Sequence, residues 1–143
     1  MNDPFNLARF IEAQEDDYAA VLGELTRGKK TGHWIWYIFP QIAELGFSEV
    51  SQYFSISSID EANAYLDHAE LGPRLIECVE LVNTIQGKSA EEIFGSLDAM
   101  KFRSSMTLFL NSNSDYDVFR RALDMYFDGR PDPLTVQALI DAS

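Results

Sequence analysis

The sequence has little cysteine, little positive charge and no long apolar run. Its single cysteine, Cys78, excludes an intrachain disulfide framework and cannot supply a cysteine-rich zinc site. Eleven Lys and Arg stand against 23 Asp and Glu, for a net charge of −12. A polyanion needs clustered cations to hold it, so no nucleic-acid partner is expected. No stretch of about 18 apolar residues occurs, so no membrane span or membrane partner is expected either. The opening Met1-Asn2-Asp3-Pro4 lacks the basic-then-apolar pattern of a secretion signal, and the expected location is cytoplasmic. No linker rich in Pro, Gly or Ser divides the chain, no repeat of fixed period stands out, and long period-2 alternation is absent.

What is present is enough for one core. The 143 residues are 46% hydrophobic and include ten Phe, six Tyr and two Trp. That suits one helical domain over residues 1–143. Helix starts are written at Ser58-Ile59-Asp60-Glu61 and Ser89-Ala90-Glu91-Glu92. In each, a serine oxygen meets orphan N–H groups, with a glutamate three residues on to reciprocate. Asp132-Pro133 is a third start, a capping carboxylate followed by proline at the first helical position. Gly28, Gly87, Gly95 and Gly129 mark stops. Between these marks the pattern predicts helices at 5–14, 16–27, 33–39, 59–68, 71–86, 90–94, 97–111, 116–127 and 133–141. Leu71, Leu75, Val79 and Val82 share one helical face, and Phe102, Met106, Phe109 and Leu110 share another. Tyr53 to Ser57 reads as a short extended piece, and Asn111-Ser112-Asn113-Ser114 as a loop. The expected fold is all-α: a single compact domain of eight or nine short helices packed at mixed angles.

Two segments concentrate chemistry. The first runs from Gly28 through Lys29, Lys30 and Gly32 to His33-Trp34-Ile35-Trp36-Tyr37-Ile38-Phe39-Pro40-Gln41, and holds both tryptophans. It lacks the spacing of a phosphate loop and does not follow a strand. An aromatic-dense helix entered by a basic turn suits a planar, anionic ligand by stacking and charge. The plainer reading makes Trp34, Ile35, Ile38 and Phe39 core and leaves Lys29 and Lys30 solvated. His33, read as the first residue of a helix, faces the positive dipole end.

The second segment is Asp98-Ala99-Met100-Lys101-Phe102-Arg103-Ser104-Ser105-Met106-Thr107. Asp98, Lys101 and Ser105 fall on one helical face, and Lys101 neighbours Ser104. Lys-x-x-Ser reverses the Ser-x-x-Lys order of serine–lysine hydrolases. The plainer reading is an Asp98–Lys101 ion pair, with hydroxyls bonded to carbonyls four residues earlier. Arg74, in the corner His68 to Arg74, has Glu70, Asp67 or an anion as its candidate partners. His33 and His68 lack the i, i+4 spacing of a metal pair, and no metal or cofactor is expected.

The run His33-Trp34-Ile35-Trp36-Tyr37-Ile38-Phe39-Pro40-Gln41 resembles the signature of a bacterial family of unknown function, DUF1810, often mislabelled calpastatin in genomes. Phe10-x-x-Ala13-Gln14 with Tyr18, and Tyr65-Leu66-x-His68-x-x-Leu71-Gly72-x-Arg74-Leu75, are similar to its first half. Ile93-Phe94-Gly95 and Asp98-x-x-Lys101-x-x-Ser104-Ser105-Met106-Thr107-Leu108-Phe109 are similar to its second. Ile35 stands where methionine is expected, a swap that conserves apolar bulk. The resemblance implies a small, mainly helical single domain and implies no activity.

Three readings follow. One is a binding or enzymatic pocket for a small anionic or nucleotide-like molecule, walled by His33, Trp34, Trp36 and Gln41 with Lys101, Ser104 and Ser105 opposite. Its enzymatic form would carry hydrolysis or glycosidic cleavage. The second is a helical protein-interaction module without catalysis, whose partner no residue names. The third gives these residues only a structural role, and requires the polar ones to satisfy one another. Every reading that buries them expects the two segments to meet.

Overall fold

The computed structural model describes residues 3–43, 48–112 and 115–141. It contains α1 (Ala8–Glu15), α2 (Tyr18–Arg27), α3 (Ile35–Ile38), α4 (Glu49–Tyr53), α5 (Ile59–Asp67), α6 (Leu71–Thr84), α7 (Ala90–Phe94), α8 (Ser96–Leu110), α9 (Val118–Phe127) and α10 (Pro133–Asp141). Helices take up 67% of the described residues, and none of these residues forms a strand. The count is ten rather than eight or nine, because α4 carries no apolar periodicity. None of its five residues is buried. It is nucleated instead by Ser48, whose hydroxyl accepts the Ser51 N–H at 3.1 Å while Ser51 Oγ returns the contact to Ser48 N. The extended piece expected at Tyr53–Ser57 shrinks to Ile56, which makes an isolated parallel bridge to Ile42. Of the expected loop, Asn113 and Ser114 lie outside the described residues.

The helix starts test capping chemistry. Ser89 and Glu92 form the full reciprocal box. Asp132 Oδ2 accepts from Thr135 N at 3.0 Å, ahead of Pro133. Ser58 Oγ accepts from Glu61 N at 3.2 Å, but Glu61 does not reciprocate. Its carboxylate turns inward instead, to Arg9. The four glycines expected at helix ends all adopt positive φ, although the left-handed cap of α9 is Asp128, one residue before Gly129. Gly72 answers a different need. A Cβ there would sit 2.1 Å from Leu66 O, so only glycine admits the tight corner between α5 and α6.

The core is one contiguous cluster. Its axis is α8, which packs against α3, α5, α7, α9 and α10. Because neighbours surround it, burial on α8 covers Ser104 through Phe109 without a break, while Leu110 is only half-buried. Leu71, Leu75, Val79 and Val82 of α6 are buried, as their spacing predicts. Phe102 stacks on Phe94 at 4.7 Å and meets the edge of Phe39 at 4.9 Å, which joins α3, α7 and α8.

One buried ion pair clamps the other side. Arg9 Nη2 lies 2.8 Å from Glu61 Oε2, with the two side chains 9% and 3% exposed. Arg9 also donates to the carbonyls of Phe5, Asn6, Tyr53 and Ser55 at 2.6–2.8 Å. Glu61 Oε1 accepts from the Ser57 N–H and hydroxyl at 2.8 and 2.7 Å. Every charged atom thus has a partner, which is the condition for tolerating such a pair in low dielectric. Glu61→Ala should therefore lower unfolding free energy by about 3–5 kcal/mol, because it strands a buried guanidinium. Urea unfolding followed by far-ultraviolet circular dichroism measures this; a loss under 1 kcal/mol would contradict the clamp.

Candidate functional site

The basic turn after α2 is built around one carboxylate. Glu24 Oε1 accepts from Thr31 N at 2.6 Å, Gly32 N at 2.9 Å and the Trp34 indole Nε1 at 3.0 Å. Burial alone would raise this carboxyl, but the Gly32, Thr31 and Trp34 N–H groups outweigh it and hold the pKa below the usual carboxylate range. Trp34 is 3% exposed and, with Ile35, Ile38 and Phe39, belongs to the core. The Lys30 N–H donates to Ile93 O at 2.8 Å and fastens the turn to α7.

Lys30 departs from the solvated role expected of it. Its side chain is 5% exposed, its Nζ lies 2.7 Å from Asp98 Oδ2, and the same Nζ donates to Gly32 O. Lys29 is exposed. Asp98 is shared, since its Oδ1 lies 3.3 Å from Lys101 Nζ. The two ammonium groups also face the two indoles: Lys30 Nζ is 5.1 Å from the Trp34 ring centre and Lys101 Nζ is 4.9 Å from that of Trp36. The two segments singled out in the sequence thus meet. Two lysines share the Asp98 carboxylate, and Lys101 holds it beside the half-buried Trp36.

Behind Trp36 lies a crevice lined by Gln41, Ile42, Ser51, Phe54 and Ser55, with a volume of about 10 Å³. That is room for about one water molecule. Gln41 O accepts from Ile56 N at 2.8 Å, so the Ile42–Ile56 bridge sets the position of Gln41 against Trp36. Trp36 thus meets the Lys101 ammonium with its ring and borders the crevice that Gln41 lines.

The remaining predicted residues lie differently. His33 is exposed and sits before the Trp34 cap of α3, outside the helix it was expected to open. Ser104 Oγ donates to Met100 O at 3.1 Å and lies 3.2 Å from Asp132 Oδ2, facing α10 rather than the tryptophans. Thr107 bonds back to Arg103 O in the same way, as the plainer reading of this helix expects. Ser105 is fully buried, and its Oγ has no hydrogen-bond partner among the described residues.

A second polar network lies on α1, α2, α5 and α6. Gln14, 1% exposed, donates from Nε2 to Tyr37 O at 2.7 Å and to Tyr65 Oη at 3.2 Å, and accepts from Arg74 Nη1 at 3.3 Å. Arg74 packs over the Tyr18 ring at 5.1 Å and pairs with Glu70 at 3.7 Å, while Tyr18 donates to Glu77 at 2.6 Å. Tyr37 donates to Asp17. Gln14, Tyr18, Tyr65 and Arg74 were visible as motif residues, yet they span four separate elements. Cys78, buried beside them, has its thiol pushed up to about 12 by burial and is no thiolate at neutral pH. Among the described residues no three His, Cys, Asp or Glu gather as a metal site, and no helix is long and apolar enough to cross a membrane.

The described residues thus form a small helical domain whose aromatic-proline segment meets the central helix through a shared aspartate. The chain belongs to the DUF1810 family, described as proteins of unknown function, whose model matches residues 4–139. It is similar to the conserved hypothetical protein Rv1873 from Mycobacterium tuberculosis, known from a crystal structure. The two are 48% identical, with a TM-score of 0.95, over 96% of this chain and 99% of that one. No curated protein matches the chain.

Glu24 makes a testable pH device of the turn. A carboxyl with a folded pKa below its unfolded value of 4.5 stabilises the fold above that value, and loses this contribution as pH falls through the folded value. Glu24→Gln should thus destabilise at pH 7, and its deficit should shrink below about pH 4. Guanidinium unfolding of both proteins across pH 3–7 reads this, with a constant deficit as the contrary result.

Proposed function

We propose that the protein binds a small anionic, nucleotide-like molecule, at a site formed by Trp36, Gln41 and Lys101. The observation that carries this reading is the Lys101 ammonium 4.9 Å from the Trp36 ring centre, beside an aspartate already matched by Lys30. In a chain of net charge −12, a partly exposed ammonium that shares its carboxylate and lies over a half-exposed indole is suited to an anion carrying a flat ring. Trp36 would supply the stacking face, Lys101 the charge and Gln41 the hydrogen bonds. Trp34 and Ser105 are buried, Ser104 bonds toward α10 and His33 is exposed, so none of these four is assigned a ligand contact. The alternative, a helical interaction module, draws support from Leu97 and Met100. These neighbours of Lys101 on α8 are 74% and 65% exposed.

Adenosine 5′-monophosphate is the probe, with adenosine and inorganic phosphate as the ring-only and charge-only controls. Calorimetry should give saturable binding of the monophosphate, and both controls should bind at least about tenfold more weakly. Lys101→Ala should abolish binding with a stability change under about 1 kcal/mol, because Asp98 keeps Lys30 and the Lys101 side chain is 30% exposed. Unchanged affinity in Lys101→Ala would defeat the reading. A double Leu97→Ser, Met100→Ser variant should bind normally; loss of binding there instead would move the site to that exposed patch and defeat the reading.

A further inference from the structure

We propose that the groove between α5, α10 and the end of α8 is a second binding site, for a small organic monocation: an ammonium head on an alkyl or aryl-alkyl body. The groove encloses about 470 Å³, which falls within the range of small-molecule sites. Its walls are apolar: Ile59 from α5, and Val136, Leu139 and Ile140 from α10. Asp60 and Asn111 supply the polar edge, and among the described residues no lysine or arginine lines the groove.

The head group is assigned by what that edge can accept. Asp60 is exposed in the first turn of α5 and contributes a carboxylate. Asn111 donates Nδ2 to Thr107 O at 2.8 Å, which leaves Oδ1 as the atom it offers. Ser58, also on the rim, already uses its oxygen to cap α5. Both available groups are therefore acceptors, and a donor head is their complement.

The last carbonyls of α8 are met by Asn111 and Ser112, and Glu61 is turned inward onto Arg9, so the charge this edge offers is the exposed Asp60 carboxylate. An anion would meet Asp60 in a chain of net charge −12, and a neutral molecule would leave the Asp60 carboxylate without a charge partner. An ammonium on an apolar body satisfies the edge and the walls together.

The test uses three eight-carbon probes, octylammonium, octanol and octanoate, titrated into the full chain and followed by amide chemical shifts. Octylammonium should shift Ile59, Asp60, Asn111 and the α10 amides saturably, with octanol about tenfold weaker and octanoate without effect. Asp60→Asn should reduce octylammonium to the affinity of octanol while leaving octanol unchanged. Val136→Trp, which fills the groove, should abolish both. Equal binding of octanoate, shifts centred elsewhere, no saturable shift, or an Asp60→Asn variant that binds octylammonium normally would each overturn the proposal. Asp60 is exposed, so its variant tests the head group even if Val136→Trp fails to fold.

Discussion

The Arg9–Glu61 pair is the interaction on which the candidate site depends, although neither residue touches it. Arg9 grips the carbonyls of Tyr53 and Ser55, and Glu61 grips Ser57, so Ile56 between them is held extended. Ile56 then bridges Ile42 and takes Gln41 O as acceptor. That contact sets Gln41, Ser55 and Phe54 behind Trp36. A buried charge pair is costly to form and more costly to break, and here it stiffens a stretch with little regular structure of its own. It also explains why Glu61 abandons its capping box: completing the shell of a buried guanidinium outweighs one bond to an exposed helix end.

Cations are scarce in this chain, and several serve as cross-links. Lys30 ties the turn to α8 through Asp98, Lys88 donates to Gly28 O at 3.0 Å, and Arg103 holds the Arg130 and Pro131 carbonyls. Each joins segments far apart in sequence. Lys101 differs: its carboxylate partner is shared, and its ammonium faces an indole that solvent reaches. A group with a half-satisfied charge beside an aromatic face is suited to a ligand, whereas a saturated one such as Arg9 is not.

The proposed anion site and the proposed groove site at α10 have opposite character. One offers an ammonium and a ring; the other offers acceptors and apolar walls. Both border α8, the helix in contact with most of the fold. Its run of buried residues leaves Lys101 near one end and Asn111 at the other.

Much was legible from residues alone. The Ser89 box, the Asp132-Pro133 start, the α6 stripe and the Asp98–Lys101 pair depend on neighbours within one or two turns, so local spacing determines them. Composition determined that a helical core would form and that cations would be rare. Tertiary packing decided the rest. It buried Lys30 against Asp98, turned Ser104 toward α10 and Glu61 toward Arg9, and added α4 where no apolar period exists. It also gathered Gln14, Tyr18, Tyr65 and Arg74 from four elements into one network. The division follows from range: a cap or a helical stripe is settled by residues three or four apart, whereas the partner of a buried charge is chosen by whichever distant segment the fold brings within about 3 Å.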